Sequence, residues 1–343
     1  MCILLQEFSM LPALAVYASH SAIQVVEGAF REGVGVVLFG PSWRLRLYSR
    51  FPSLRFHVVE CMGGGCLERL GDECVIVPNG SLVEYVGWEA LERSRVPLFG
   101  LRGLMRWESS WGSKMRLLRE AGLNTPRVYE NPEEVDTMVI VKLPGAKGGR
   151  GYFTSDNPEE IRRRLEGYVE AGLLKSISDA AIQEYVVGVT MYAHYFYSPL
   201  LKRLELTGFD VRYESNVDAL ARAPKRLREV IGQSFTVVGN FPVYPREALL
   251  ESFIQAGESF VEATRRVIPP GVIGPFCLEC IVTEELELVF FEFSGRIVAG
   301  TNVYLLGSPY LALYWGEPMT VGRRIAKEIR MASDENRLGD VTT

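Results

Sequence analysis

The sequence is short of several things at once. Six cysteines, Cys2, Cys61, Cys66, Cys74, Cys277 and Cys280, are spread over 343 residues, too few for a disulfide scaffold of this size. Buried free thiols are expected, with a Cys61–Cys66 disulfide open if the source is a hyperthermophile. Cys277-Leu278-Glu279-Cys280 has CxxC spacing, but it lies in an alternating, strand-like run where residues three apart face opposite sides, which argues against shared zinc ligation. No Lys or Arg precedes Arg31, so the basic flank of a secretory signal is missing. No run approaches the eighteen apolar residues of a membrane span. A soluble, cytoplasmic chain without a membrane partner is expected. Positive charge is not in excess either. The formal net charge of −5 argues against a nucleic-acid partner, and any phosphate ligand must then be met by local cations. Neither the Walker pattern GxxxxGK[ST] nor the dinucleotide pattern GxGxxG occurs.

What remains is a chain with 48% apolar residues and 23% charged ones, long enough for two or three subdomains. Ala13 to Ala18 reads as a buried parallel strand. Ser19-His20-Ser21 follows, then a helix with apolar spacing at Ile23, Val26 and Phe30, closed by Gly33, then a strand from Val34 to Phe39. This is a βαβ unit of doubly wound type. Cys74-Val75-Ile76-Val77 repeats the arrangement, with Pro78-Asn79-Gly80-Ser81 opening a helix near Leu82. His20 and Ser81 thus stand at carboxyl edges of strands, where open α/β sheets bind ligands. Ser81 reads equally as a simple helix cap, and His20 as a capping or core histidine. Gly100 to Trp111 is read as a transition, Lys114 to Glu120 as a helix, and Ala181 to Val186 as a strand. A long helix is expected from about Glu247 to Val267, stopped by Pro269-Pro270-Gly271.

Thr137 to Phe153 carries the strongest chemical signal. A β-branched strand ends on Lys142, and a loop with four glycines, Lys147 and Arg150 follows. Alternation puts Met138, Ile140 and Lys142 on one face, so Lys142 projects from a half-buried surface. Gly145, Gly148, Gly149 and Gly151 let backbone N–H groups turn toward an anion. With three cations in nine residues, the natural partner is a polyphosphate. The other reading is a glycine-rich hairpin tip at the surface.

A second signal comes from two strands, Pro275–Val282 and Leu288–Phe293, joined by a reversal over Thr283–Glu287. Centring the reversal on Glu285–Leu286 pairs 282 with 289, 281 with 290 and 279 with 292. Glu279 and Glu292 then oppose each other on one face, with Cβ atoms roughly 4.5–5.5 Å apart. Such a pair is relieved by a bound cation or a shared proton. Mg²⁺ held by one or two carboxylates and substrate phosphates fits it. An exposed sheet face with two independent glutamates is the alternative. Arg296, four residues after Glu292, could clamp a phosphate.

Lys142-Leu143-Pro144 with the glycine loop, and Glu292-Phe293-Ser294-Gly295-Arg296, resemble signatures of the ATP-grasp superfamily. Lys142–Phe153, Gln183-Glu184-Tyr185-Val186, His194–Leu200, Arg212–Asn216, Ile297 through Arg324, Gly307-Ser308-Pro309-Tyr310 and Gly316-Glu317-Pro318-Met319 resemble the archaeal PurP family more closely, over nearly the whole chain. That family is the formate-dependent ligase of purine synthesis, converting AICAR, formate and ATP to formyl-AICAR, ADP and phosphate. The resemblance implies an α/β ATP-grasp fold. It has an N-terminal doubly wound α/β domain (1–112), a small α+β lid (113–195) and a C-terminal α+β domain with an antiparallel sheet and the metal site (196–343). It implies ATP and Mg²⁺ (or Mn²⁺) as cofactors and a homo-oligomer. His20, Ser81 and Asn240 would contact AICAR. Lys142, Lys147, Gly148, Gly149 and Gly151 would hold ATP phosphates, with Lys147 and Arg296 in catalytic roles. Lys114 matches the superfamily's first phosphate lysine, Glu184 to Val186 would border adenine, and Glu214 would also contact ATP. Glu279 and Glu292 would bind the metal.

Several positions depart from the family pattern. Asn79 stands where many members have histidine, Leu101 where a polar residue is expected, and Gly295 where alanine is. Ser294 occupies a position that is often asparagine in the wider superfamily. The rival readings are a related ligase acting on another carboxylate or amine, and a non-catalytic nucleotide-binding paralogue.

Overall fold

The computed structural model describes residues 11–19, 21–144 and 151–343. The first of three sheets contains β1 (Ala13–Tyr17), β2 (Val36–Gly40), β3 (His57–Glu60) and β4 (Cys74–Val77), all parallel, in the order β3-β2-β1-β4. β1, β2 and β4 are buried along their whole length, because helices cover both faces of a parallel sheet and leave no wet side for polar residues. One face receives the helix Ala22–Arg31 through Val25, Val26 and Ala29, and the C-terminal helix Val321–Asp334 through Val321, Ile325 and Ile329. The opposite face packs on Cys66, Leu67, Leu82 and Leu91. The two helices of the first face meet backbone to backbone at Gly28 and Gly322. A Cβ on either would collide with the main chain of the other helix. The end of the chain therefore completes the N-terminal layer, and Leu98 N–H donates to the Thr343 carbonyl at 3.0 Å.

The second sheet is small and antiparallel: β5 (Val128–Tyr129), β6 (Val139–Lys142), β7 (Phe153–Ser155) and β8 (Ala181–Glu184), in the order β5-β8-β6-β7. Val139 and Val141 point inward, onto Ile161 and Leu165 of the helix Pro158–Glu170. Ile140 and Lys142 are half-buried on the other face, as the alternation predicts. Asn157 caps that helix, its side chain accepting from the N–H groups of Glu159 and Glu160 at 2.9 and 3.1 Å.

The third sheet is antiparallel and contains β9 (Val189–Ser198), β10 (Arg203–Asn216), β11 (Phe235–Pro242), β12 (Gly274–Val282) and β13 (Leu288–Ser294), in the order β11-β10-β9-β12-β13. Its two faces differ completely. Tyr195, Phe209, Phe276, Phe290 and Phe293 form an aromatic face against Phe253 and Phe260 of the helix Glu247–Val267. The other face carries Asn240, Asp210, Arg212, His194, Tyr192, Cys277, Glu279 and Glu292, contributed by all five strands.

The helix Glu247–Val267 and the strand Cys74–Val77 have the limits read from the sequence. The stretch 100–111 does not behave as a plain transition. It contains the helix Arg102–Glu108, held by the buried Leu104 and Met105 and lacking a side-chain cap at Leu101. Position 195, expected as a domain limit, lies inside β9. Cys61 and Cys66 are joined by a disulfide, against the free-thiol expectation, while Cys277 and Cys280 are buried free thiols and Cys74 is buried in β4. Cys277 lies with Tyr192 and Phe291, and Cys280 in the aromatic face, so the CxxC pair is split across the sheet as expected. Among the described residues, no helix is long and apolar enough to cross a membrane.

Candidate active site

The site is built on the polar face of the five-stranded sheet. Glu279 and Glu292 are register partners, as the hairpin pattern predicts, although the pairing around them differs. Near the turn, Val282 faces Leu288 and Ile281 faces Val289, one residue off the expected register. The offset is absorbed by a bulge that skips Phe291, so Cys280 faces Phe290 and Glu279 faces Glu292. Bulges re-aim side chains beside active sites, and this one restores the opposition of the two carboxylates.

Cations come to the pair from three directions. On β10, Arg212 donates from Nη2 to Glu279 Oε1 at 2.8 Å, its guanidinium 4.1 Å from the Tyr192 ring. Lys114, from the helix Trp111–Glu120, donates from Nζ to Glu292 Oε1. Lys142 reaches in from β6 of the small sheet, its Nζ 4.5 Å from the Phe291 ring and 5.3 Å from the Trp111 ring. Burial works against the charge on Lys142, and although Glu292 and Glu279 oppose this, its ammonium is pushed down to about 8. Burial alone would raise Glu292. Lys114 and Lys142 outweigh it and hold that carboxyl at about 2. Glu279 is raised by burial in spite of Arg212. On Lys114, burial is outweighed by Glu292 and Glu108, and the ammonium lies above its ordinary range. Glu214, farther along β10, is raised by burial to about 7, with Arg212 pulling the other way.

A divalent cation fits this donor set. Glu279 Oε2 is buried and has no hydrogen-bond partner, an arrangement costly for a carboxylate unless a ligand completes it. Among the described residues, no group of three or more His, Cys, Asp or Glu could hold a metal alone. The remaining ligands would have to be phosphate oxygens and water, as is usual for Mg²⁺.

The other expected site residues fall around this centre. Arg296 is ion-paired with Glu108 at 2.7 Å, and a Cβ on Gly80 would lie 3.1 Å from its Nη2. Arg296 thus sits where the N-terminal edge meets the sheet. Glu184 ends β8, its Oε2 accepting the Arg127 N–H at 3.0 Å, and Val186 follows, half-buried. Gly151 is exposed ahead of β7. Asn240, on β11 opposite Arg212, donates from Nδ2 to Asp210 Oδ2 at 2.6 Å, and Asp210 Oδ1 lies 2.6 Å from His194 Nε2. Ser81 accepts from the Ser19 hydroxyl at 2.9 Å, so the carboxyl edges of β1 and β4 meet there. His20, Lys147, Gly148 and Gly149 lie outside the described residues.

Sequence reasoning missed Arg212 and Asp210 as site residues, Glu108 as the partner of Arg296, and the rings of Trp111 and Phe291 beside Lys142. Asp210, Arg212 and Glu214 were legible as an alternating charged face of one strand. The departures have local causes. The Asn79 side chain is fully used, accepting from Leu82 N–H at 3.0 Å and donating to the Tyr17 carbonyl at 3.0 Å. Gly295 is required by Leu104, whose Cδ2 would lie 2.5 Å from an added Cβ. Leu101 is buried in the same aromatic core.

A parallel sheet with a ligand edge, a small antiparallel sheet presenting a lysine, and a large antiparallel sheet presenting paired carboxylates together define an ATP-grasp fold. The biotin carboxylase domain of Hydrogenobacter thermophilus 2-oxoglutarate carboxylase, crystallised with MgADP, ADP and bicarbonate, shares that fold. Its TM-score is 0.64 at 14% identity, covering 95% of this chain and 70% of that one. A crystal structure of an IMP biosynthesis protein PurP from Thermococcus kodakaraensis matches at TM-score 0.79 and 33% identity, over 96% of this chain and all of that one. Two models described only as a protein of unknown function (DUF1246) and a domain of unknown function (DUF1297) match residues 14–129 and 160–343. The relative from Metallosphaera sedula is named 5-formaminoimidazole-4-carboxamide-1-(beta)-D-ribofuranosyl 5'-monophosphate synthetase. It is 50% identical over 334 residues, 96% of this chain and 99% of its own. A protein of the same name from Ignicoccus hospitalis is 52% identical over 335 residues, 96% and 95% of the two chains. The chain belongs to this PurP family of synthetases.

Proposed function

We propose that the protein is an ATP-dependent ligase that formylates AICAR with formate, through formyl phosphate, to give formyl-AICAR, ADP and phosphate. The observation that carries the reading is the opposition of Glu279 and Glu292 on one sheet face, with Lys142 brought over them from a different sheet. That arrangement suits a metal-bound triphosphate, and the names borne by relatives about half identical to this chain point to the same product.

Formate is a poor electrophile, and phosphorylation gives it a leaving group. A formate oxygen attacks the γ-phosphorus of ATP, the bond to the β,γ-bridging oxygen breaks, and ADP leaves. The amine of AICAR then attacks the formyl carbon, phosphate departs, and the amine proton is lost. Glu279 and Glu292 would hold Mg²⁺, which when bound neutralises phosphate charge. Lys142 and Lys114 stabilise the charge that gathers on the transferring phosphoryl group. Lys142 is suited to this, since an arriving polyphosphate restores full charge to an ammonium that burial had weakened. Glu184 and Val186 border the adenine, Glu214 contacts ATP, and Arg296 stands between the phosphoryl centre and the AICAR edge at Ser81. In this reading the chain works as three units, and the small sheet β5–β8 closes over the centre to keep water from the acyl phosphate. The departure at Asn79 falls on a buried helix cap, so it gives no support to a different amine.

Phosphate release with ATP and Mg²⁺ tests the reading. Release is expected only when formate and AICAR are both present. Turnover with another carboxylate–amine pair, and none with this one, would overturn it.

A further inference from the structure

We propose that Arg44 recognises the 5'-phosphate of the nucleotide substrate and so sets the preference for a nucleotide over a nucleoside. The proposal rests on the AICAR reading and deepens it. Arg44 belongs to the short helix Ser42–Tyr48 that follows β2. Its Nη1 lies 3.3 Å from the Ala18 carbonyl and 3.5 Å from Ser81 Oγ, the hydroxyl to which Ser19 donates at 2.9 Å. The segments after β1, β2 and β4 thus each bring one polar side chain to one spot. That spot is the carboxyl edge where the strand order β3-β2-β1-β4 reverses direction, the place where open α/β sheets take their ligands.

The charge balance at this edge points to the same residue. Arg212, Arg296, Arg323 and Arg324 each pair with a carboxylate, and Lys114 with Glu292. Among the described residues, no carboxylate pairs with Arg44. It is held instead by aromatic faces, its guanidinium carbon 4.6 Å from the Tyr85 ring, 4.7 Å from Trp43 and 5.8 Å from Tyr17. Such faces fix a cation in place without neutralising it. Trp43 and Tyr85 are 59% and 54% exposed, so the pocket around the cation is open to a ligand. A phosphate monoester supplies the missing counter-charge, and the guanidinium fork matches its oxygens.

The test compares AICAR with its dephosphorylated riboside in the full chain, at saturating ATP, Mg²⁺ and formate. Arg44→Ala should raise KM for AICAR ~30–100-fold with kcat within about threefold, the loss of one charge-assisted, bidentate contact. The penalty should be absent with the riboside, and Arg44→Lys should fall between. An AICAR KM that does not move, or an equal loss on both substrates, would overturn the proposal. Unchanged ATP affinity in the variant shows that it is folded. A wild-type chain that fails to formylate AICAR would sink the functional reading, not this one. Calorimetry with ribose 5-phosphate and ribose then decides. Phosphate-dependent binding that is lost in Arg44→Ala upholds the assignment, and binding that is absent or insensitive to the substitution refutes it.

Discussion

Arg324 and Glu292 are both charged side chains set against the five-stranded sheet, one near the start of β10 and one on β13. Arg324 is fully buried. It donates from Nε to Glu205 at 2.9 Å and from Nη1 to Glu328 at 2.7 Å, with its plane against Phe196 and Trp315. Ser198 and Trp315 donate further hydrogen bonds to the two glutamates, and Arg203 pairs with Glu205. Two cations thus meet two carboxylates, and each carboxylate oxygen of the group has a partner. Around Glu292 the same ingredients are arranged differently. Two carboxylates face each other, one oxygen of Glu279 is left without a partner, and burial depresses a lysine beside them. In the first group every carboxylate oxygen has a partner and only Arg324 Nη2 lacks one, so no anionic oxygen is left for a cation. The second leaves a carboxylate oxygen unpaired between cations, and under the proposed function a metal and phosphates would complete it.

The largest expected effect separates the two directly. Glu292→Gln should lower turnover by about 10³-fold, a loss of charge stabilisation at the reacting group, read by phosphate release, while the chain still folds. Retained turnover would remove the distinction between the clusters. The converse substitution, Arg324→Met, strands Glu328 as a buried, unpaired charge and leaves Glu205 with Arg203 alone. The loss should cost about 3 kcal/mol of stability, chiefly from Glu328, measured by urea denaturation, with kcat per folded molecule within about twofold. A large fall in kcat without loss of stability would show that this group also serves the reaction.

The same contrast bears on what the sequence could reveal. The closed cluster was invisible there, because Glu205 lies 119 residues from Arg324, and an Arg–Glu pair four residues apart on a helix reads as an exposed surface pair. The open site was partly legible. Glu279 and Glu292 were found because a hairpin converts sequence spacing into opposition, and Lys142 because a strand ending on a cation ahead of four glycines has few other uses. Even so, the pairing of the glutamates depended on a bulge at Phe291 that no local pattern announced. Arg212 was missed for a different reason: its partner, Glu279, lies two strands away, across β9. Helix limits were read well where a proline run or a glycine closes them, as at Val267. They were read poorly at Arg102–Glu108, where tertiary burial of Leu104 and Met105, and no cap, makes the helix.

A finer probe of the open site uses its lysine. Lys142 has its ammonium pushed down to about 8, so near pH 8 about half of it is neutral before nucleotide arrives. A polyphosphate raises that value, and binding must then take up a proton between the two values. Titration calorimetry at pH 8 in buffers of different ionisation enthalpy should report uptake of about half a proton per ATP. Lys142→Arg, which stays charged, should abolish the uptake. Proton release on binding would contradict the electrostatic picture of the site.

The smallest effect concerns Glu214, at the rim of the same centre. Burial raises its carboxyl to about 7, against the pull of Arg212. The folded state therefore holds this proton over a range where the unfolded chain has lost it. Stability from this group is fully present below the ordinary glutamate range and is lost as pH rises through about 7. Glu214 is half-buried, so solvent screening reduces the full linkage value to the order of 1 kcal/mol. Glu214→Gln cannot titrate. Its stability relative to the parent should rise by about 1 kcal/mol between pH 5 and pH 8, measured by urea denaturation without nucleotide. A difference that stays constant across that range would place Glu214 in water, outside the enclosed centre that the rest of the polar face forms.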